Sequence, residues 1–174
     1  CMYIKIIGSL FLITASAAIG CLKAEELKER VKRLTEMKRM IVFLQGELRF
    51  HRAELSEAFE SVSERVEEPF HRFLRQAAEG IEQKESECFA NVWKKLWEKL
   101  LQEDGFLKED AKLFEMLEGS LGYLDLAMQT ESLNLVILQV EDAIKTAKEQ
   151  QETRGKMYKA MGVSAGALLT LLII

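Results

Sequence analysis

Apolar residues fall at Leu27, Val31, Leu34, Met37, Ile41, Leu44 and Leu48, in steps of three and four. Such steps keep one stripe on a helix of 3.6 residues per turn, so a long helix is predicted here. A second stripe, Leu133, Ile137, Val140, Ile144 and Ala147, predicts a long return helix. Two such helices bury their stripes against each other as an antiparallel stalk. Between them the pattern predicts three or four shorter helices. Leu55, Ala58, Phe59 and Val62 mark the first. Pro69, tolerated in a helix's first turn, starts the next, with Phe70, Phe73, Leu74, Ala77 and Ile81 inward. Gly80 and the polar run Glu82–Glu87 read as a break. Phe89, Val92, Trp93, Leu96, Trp97 and Leu100 mark the most aromatic helix, ending near Asp104-Gly105. Leu113, Phe114, Leu117 and Leu121 mark another, closed by Gly122, with Asp125 ahead of the return helix. Two tryptophans on one face read as core anchors rather than as a cofactor box. No alternating β-type run and no internal repeat occurs, so the expected fold is an all-α bundle of about five to six helices.

The two ends break the amphipathic pattern. Ile6 to Leu22 holds seventeen residues without a formal charge, and Ala160 to Ile174 holds another fifteen. A bilayer core asks for about 20 apolar residues, with a lower bound of roughly 17. The first run qualifies and the second is short but stops at the chain end; both are read as transmembrane helices, residues 1–22 and 160–174, around a domain of residues 23–159. The second run stops at the chain end, and Cys1 precedes Met2, so the natural chain is expected to extend or to start differently. Two rival readings stay open for the first run. One is a buried core helix; the other is a secretory signal, with Ala18-Ile19-Gly20-Cys21 resembling a bacterial lipidation box.

Charge orients the pair. Lys23, Lys28, Arg30, Lys32, Arg33, Lys38 and Arg39 follow the first run, against Lys5 before it. Lys148, Arg154, Lys156 and Lys159 precede the second. By the positive-inside rule both flanks are cytosolic, which gives an out–in–out hairpin. The 24 basic and 28 acidic residues leave a net charge of −4, and that mild value hides a strong polarity. Residues 23–39 carry +3, residues 148–159 carry +2, and residues 40–147 carry −10. Lys23, Lys28, Arg30, Lys32, Arg33, Arg154, Lys156 and Lys159 are thus candidates for contact with anionic lipid, each contributing about 1 kcal/mol near the surface. The acidic middle is either a solvated surface or a docking face for a basic partner. Nucleic acid is not expected.

Candidate chemistry is sparse. Glu68-x-x-His71 matches half of a di-iron pattern, which needs a second such pair and two more carboxylates. Glu47 and His51 share a helix face without a third ligand. Cys1, Cys21 and Cys88 form no Cys-x-x-Cys, and there is no phosphate loop or nucleophile elbow. No catalytic, cofactor-binding or metal residue is assigned, and no small-molecule substrate is expected. One packing motif has a mechanism. Ser16-x-x-x-Gly20 closes the first run and Gly162-x-x-x-Gly166 opens the second; small residues four apart let helices approach closely in lipid.

Several fragments together resemble the stage III sporulation protein AB family of endospore-forming bacteria. They are Gly20, Leu44-x-x-Glu47-Leu48-x-Phe50, Leu55-Ser56-Glu57-Ala58, Pro69-Phe70-x-x-Phe73, Leu121-Gly122-x-x-Asp125 and Tyr158-Lys159-x-Met161-Gly162. Their order and spacing carry the resemblance across nearly the whole chain. It departs at Arg30-Val31, where the family tends to show Arg-Pro, and at Ala53-Glu54, where Thr-Pro is usual. The resemblance implies a component of the channel-like complex joining mother cell and forespore, in a mother-cell membrane. The family is also similar to the inner-membrane platform (F) proteins of type II secretion and type IV pilus machines. By that analogy the cytosolic bundle docks a hexameric secretion-type ATPase, in sporulation the companion stage III sporulation protein AA, alongside other components of the complex. A homo-oligomer is compatible with this expectation. The competing readings are a two-span signalling adaptor and a lipoprotein with an extracytoplasmic helical domain.

Overall fold

The computed structural model describes residues 2–51, 54–83, 89–103, 106–122 and 125–173, without the side chains of 2–7, 9, 10, 12, 13, 51, 83, 103, 159, 167, 169 and 171–173. Six α-helices follow in order: α1 Met2–Gly46, α2 Leu55–Ser63, α3 Phe70–Gln83, α4 Phe89–Glu103, α5 Ala111–Leu121 and α6 Leu126–Ile173. A π-helical turn, Glu47–His51, ends α1, and a 3-10 turn, Lys108–Asp110, precedes α5. The fold is all-α, with no strand among the described residues. By compactness the chain divides into two units, residues 1–32 with 145–174, and residues 33–144. No helix among the described residues is long and apolar enough to cross a membrane. Many side chains of the two apolar end runs lie outside the described residues.

In the unit of residues 33–144, α1 and α6 run antiparallel. Lys38 pairs with Glu141 at 2.7 Å, and Gln45 donates to Asn134 Oδ1 at 2.7 Å and to the Thr130 carbonyl at 3.0 Å. Leu34, Met37, Ile41, Leu44 and Leu48 are buried as their spacing predicts. On α6 the buried set is Leu133, Val136, Val140 and Ile144. Val136 thus takes the place expected for Ile137, which is half-buried. The stripe is set by two neighbours, α1 and the short helices, and its centre shifts toward both.

Helices α2 to α5 pack around an aromatic cluster. The Trp93 ring lies 5.6 Å from Phe59 and 4.7 Å from Phe73, edge-on to the latter, while Phe114 meets Phe70, Phe73, Trp97 and Phe106. Offset and edge-on geometries suit ring quadrupoles, each pair adding about 0.5–1.5 kcal/mol beyond area burial. Trp93 also donates its Nε1 proton to the Phe114 carbonyl at 3.2 Å. Both tryptophans are buried core, as their common face predicts.

Two boundary expectations need correction. Gly80 does not break its helix; α3 continues to Gln83. A Cβ at Gly80 would lie 2.5 Å from Val92 Cγ1, so this glycine lets α4 approach α3. Residues 84–88, part of the expected break, lie outside the described residues. Pro69 stands one position before α3 rather than inside its first turn, its carbonyl accepting the first bond, from Phe73 N at 3.1 Å. Asp125 does sit ahead of α6, where its Oδ2 accepts from Met128 N at 2.9 Å and its carbonyl from Gln129 N at 2.9 Å. This is an N-cap, worth about 1 kcal/mol.

Candidate functional site

In the unit of residues 1–32 and 145–174, small residues bring α1 and α6 together. A Cβ at Gly20 would fall 2.5 Å from the Tyr158 carbonyl oxygen and 3.4 Å from Gly162 Cα. One at Gly162 would fall 2.7 Å from the Ser16 carbonyl oxygen and 3.4 Å from Ala17 Cα. The Ser16 hydroxyl donates to the Gly162 carbonyl. Ser16, Gly20 and Gly162 therefore meet at one crossing. Gly166 is buried one turn further, its carbonyl accepting from Thr170 at 2.9 Å. The seam extends to Ala24 and Gly155, 3.9 Å from the Ala24 Cβ to the built Gly155 Cβ. That extension was readable as small residues four apart at Ser16, Gly20 and Ala24, but Ala24 is masked to the eye by Lys23 and Glu25.

The basic residues divide by exposure. Lys23 and Lys28 are exposed and hydrogen-bonded to Glu26 and Glu25 at 2.8 and 2.9 Å. Those bonds hold both ammonium groups above the usual lysine value, so they stay charged. Lys32, Arg154 and Lys156 are exposed too. Arg30 is buried and donates to Gln150 Oε1 at 3.1 Å, so it braces the two helices instead of facing a headgroup. Arg33, half-buried, stands over the Phe106 ring at 5.8 Å. The Lys159 side chain lies outside the described residues.

An acidic face occupies α2 and the turn after it. Glu54, Glu57, Glu60, Glu64, Glu67 and Glu68 are all exposed, against a single basic residue, Arg65, in the same stretch. The apolar positions of α2, Ala58, Phe59 and Val62, are buried, which turns the carboxylates outward. Arg65 is drawn to the other side, where its Nη1 meets Glu47 Oε1 at 3.0 Å. Glu47 is buried and also accepts from Ser61 Oγ at 3.2 Å. It ties the π-helical turn to α2 and leaves Phe50 75% exposed beyond it. Glu47 and Phe50 thus have opposite roles within one resembling fragment.

Of the half di-iron pair, Glu68 is exposed and His71 takes a structural part. His71 Nδ1 donates to the Ser63 carbonyl at 2.8 Å, which fixes its tautomer and ties α3 to the end of α2. Among the described residues no three His, Cys, Asp or Glu side chains are grouped as metal ligands. The His51 side chain, Cys1 and Cys88 lie outside the described residues, and Cys21 is an exposed free thiol.

Residues 5–174 match the profile of the family described as stage III sporulation protein AB. A relative of that description from Bacillus subtilis (strain 168) is 22% identical over 175 residues, spanning 98% of this chain and 99% of the relative. A solved structure of a stage III sporulation protein AB is similar with a TM-score of 0.65, at 15% identity over 72% of this chain and 98% of that one. At that identity the likeness concerns the fold.

Proposed function

Because the chain belongs to the stage III sporulation protein AB family, we propose that it serves sporulation as a non-enzymatic membrane platform, assembling the channel-like secretion complex between mother cell and forespore. Its two apolar ends anchor it in the mother-cell membrane as an out–in–out hairpin, with the helical domain in the cytosol. The support for the anchors is the pairing of two uncharged runs with basic flanks on their inner sides. The domain docks a secretion-type ATPase resembling stage III sporulation protein AA. The single observation that carries the docking is the carboxylate face formed by α2 and its flanking residues, with six exposed acids between Glu54 and Glu68. Complementary charge accelerates and orients association at such a face.

The test uses the full chain in detergent with the purified companion ATPase. Capture is expected at low salt, falling as salt rises, because exposed charges are screened within about 10 Å at 0.1 M. Reversing Glu57→Lys, Glu60→Lys and Glu64→Lys together is expected to weaken it at least about tenfold, the scale of 1.4 kcal/mol. No capture at low salt, or capture indifferent to the reversals, counts against docking through α2. Incorporation of a lipid precursor that Cys21→Ala abolishes would instead assign the chain to the lipoproteins.

A further inference from the structure

The α1–α6 pair of residues 33–144 has a second face, turned away from the short helices, on which apolar side chains stand exposed among the described residues. Val42 is 42% exposed, Leu135 56%, Leu138 58% and Met128 55%. The Lys38–Glu141 and Gln45–Asn134 contacts bracket Val42, Leu135 and Leu138 and set the register, placing Val42 level with Ile137, one residue from Leu138. The charges beside it are sorted by helix. Lys38 and Arg49 lie along the α1 edge; Glu131, Glu141 and Asp142 lie along the α6 edge. By the same antiparallel register, Arg49 stands level with Glu131 and Lys38 level with Glu141 and Asp142.

We infer that this face is the interface between two copies of the chain. A twofold axis parallel to the helices sets α1 of one copy over α6 of the other. Val42 then meets the second copy's Leu138, Arg49 meets its Glu131, and Lys38, already paired with Glu141 of its own chain, faces the second copy's Asp142. The basic edge falls on the acidic edge twice over, as a self-complementary twofold interface requires. An unrelated partner would need the same two signs in the same order at the same levels; the chain already has them. The product is a four-helix bundle, the usual way for two helical hairpins to cover apolar strips. This axis also leaves residues 33 and 144 of both copies at one end, as two chains anchored in a single bilayer need.

The experiment takes full chains in detergent with Cys1, Cys21 and Cys88 replaced by serine. One tagged chain carries Val42→Cys, a differently tagged one Leu138→Cys. A short bismaleimide is expected to link the mixed pair and to leave each single-cysteine chain unlinked, since like positions lie diagonally across the bundle. In sedimentation, Arg49→Glu is expected to weaken the dimer about tenfold, and Glu131→Lys in the same chain to restore it. Circular dichroism shows that helix content is kept. A monomer at low salt, linkage of Val42→Cys chains to themselves, or no rescue by Glu131→Lys overturns the inference. None of these readouts depends on topology or on the ATPase, so failure here leaves the platform reading standing, and the reverse.

Discussion

Trp93 and Trp97 occupy one helix face and similar burial, yet their indole nitrogens differ. Trp93 Nε1 donates to the Phe114 carbonyl at 3.2 Å, while Trp97 Nε1 is buried with no hydrogen-bond partner among the described residues. A net hydrogen bond contributes about 0.5–1.5 kcal/mol, and an orphaned buried donor costs about 1–3 kcal/mol. Trp93→Phe is therefore expected to destabilise the full chain by about 2–3 kcal/mol, losing a bond and core volume together. Trp97→Phe relieves the orphan as it loses volume, and the net change is expected to stay within about 1 kcal/mol. Chemical denaturation of both variants checks the contrast. Equal losses would mean that the hydrogen bond carries no weight. Burial with a partner also separates the charges: Glu47 and Arg30 are brackets between segments, whereas the α2 carboxylates are exposed.

At the scale of the helices, glycine has two meanings, and the packing decides which. Gly80 lies under Val92, with 2.5 Å between its built Cβ and Val92 Cγ1; Gly119 in α5 has nothing within 4 Å. Alanine improves helix propensity by about 1 kcal/mol at either site. Gly119→Ala is accordingly expected to raise stability by about 0.5–1 kcal/mol. Gly80→Ala is expected to lower it by about 1–3 kcal/mol, because a β-branched neighbour in a packed interior has little room to turn aside. Adding Val92→Ala should recover part of that loss, and a double-mutant cycle by thermal unfolding reads the coupling. Two losses that simply add would show that α3 and α4 do not meet there. The helical stripes were legible from spacing alone, since burial follows the 3.6-residue period from Leu34 to Leu48. Gly80 was not, because a glycine that breaks a helix and one that admits a neighbour look the same in one dimension.

For the whole molecule the proposed platform role turns on which side of a bilayer the helical domain occupies. The charge pattern predicts that cysteines placed just after residue 22 and just before residue 160 are shielded from an impermeant maleimide in intact cells. Permeabilisation should expose both. Labelling of both in intact cells would put the domain outside and remove the ATPase from reach. Moving charge tests the cause: replacing Lys28, Lys32 and Arg33 by glutamine is expected to lower the fraction inserted in this orientation, as read by the same labelling. Arg30 belongs outside that set, since its contact with Gln150 would confound insertion with folding.

The existence of the helices, the first stripe from Leu34 to Leu48 and the polarity of charge were settled along the chain, for a physical reason: periodicity and net charge are local sums over neighbouring residues. Family membership was legible for a related reason, as short fragments keep their order whatever the fold does with them. Tertiary packing decided the rest. Val136 rather than Ile137 faces the core, Arg30 turns inward, Glu47 is buried while Phe50 is not, and Ser16, Gly20 and Gly162 converge across more than a hundred residues of intervening chain. Each depends on what stands opposite, and distance through space leaves no trace in the order of residues.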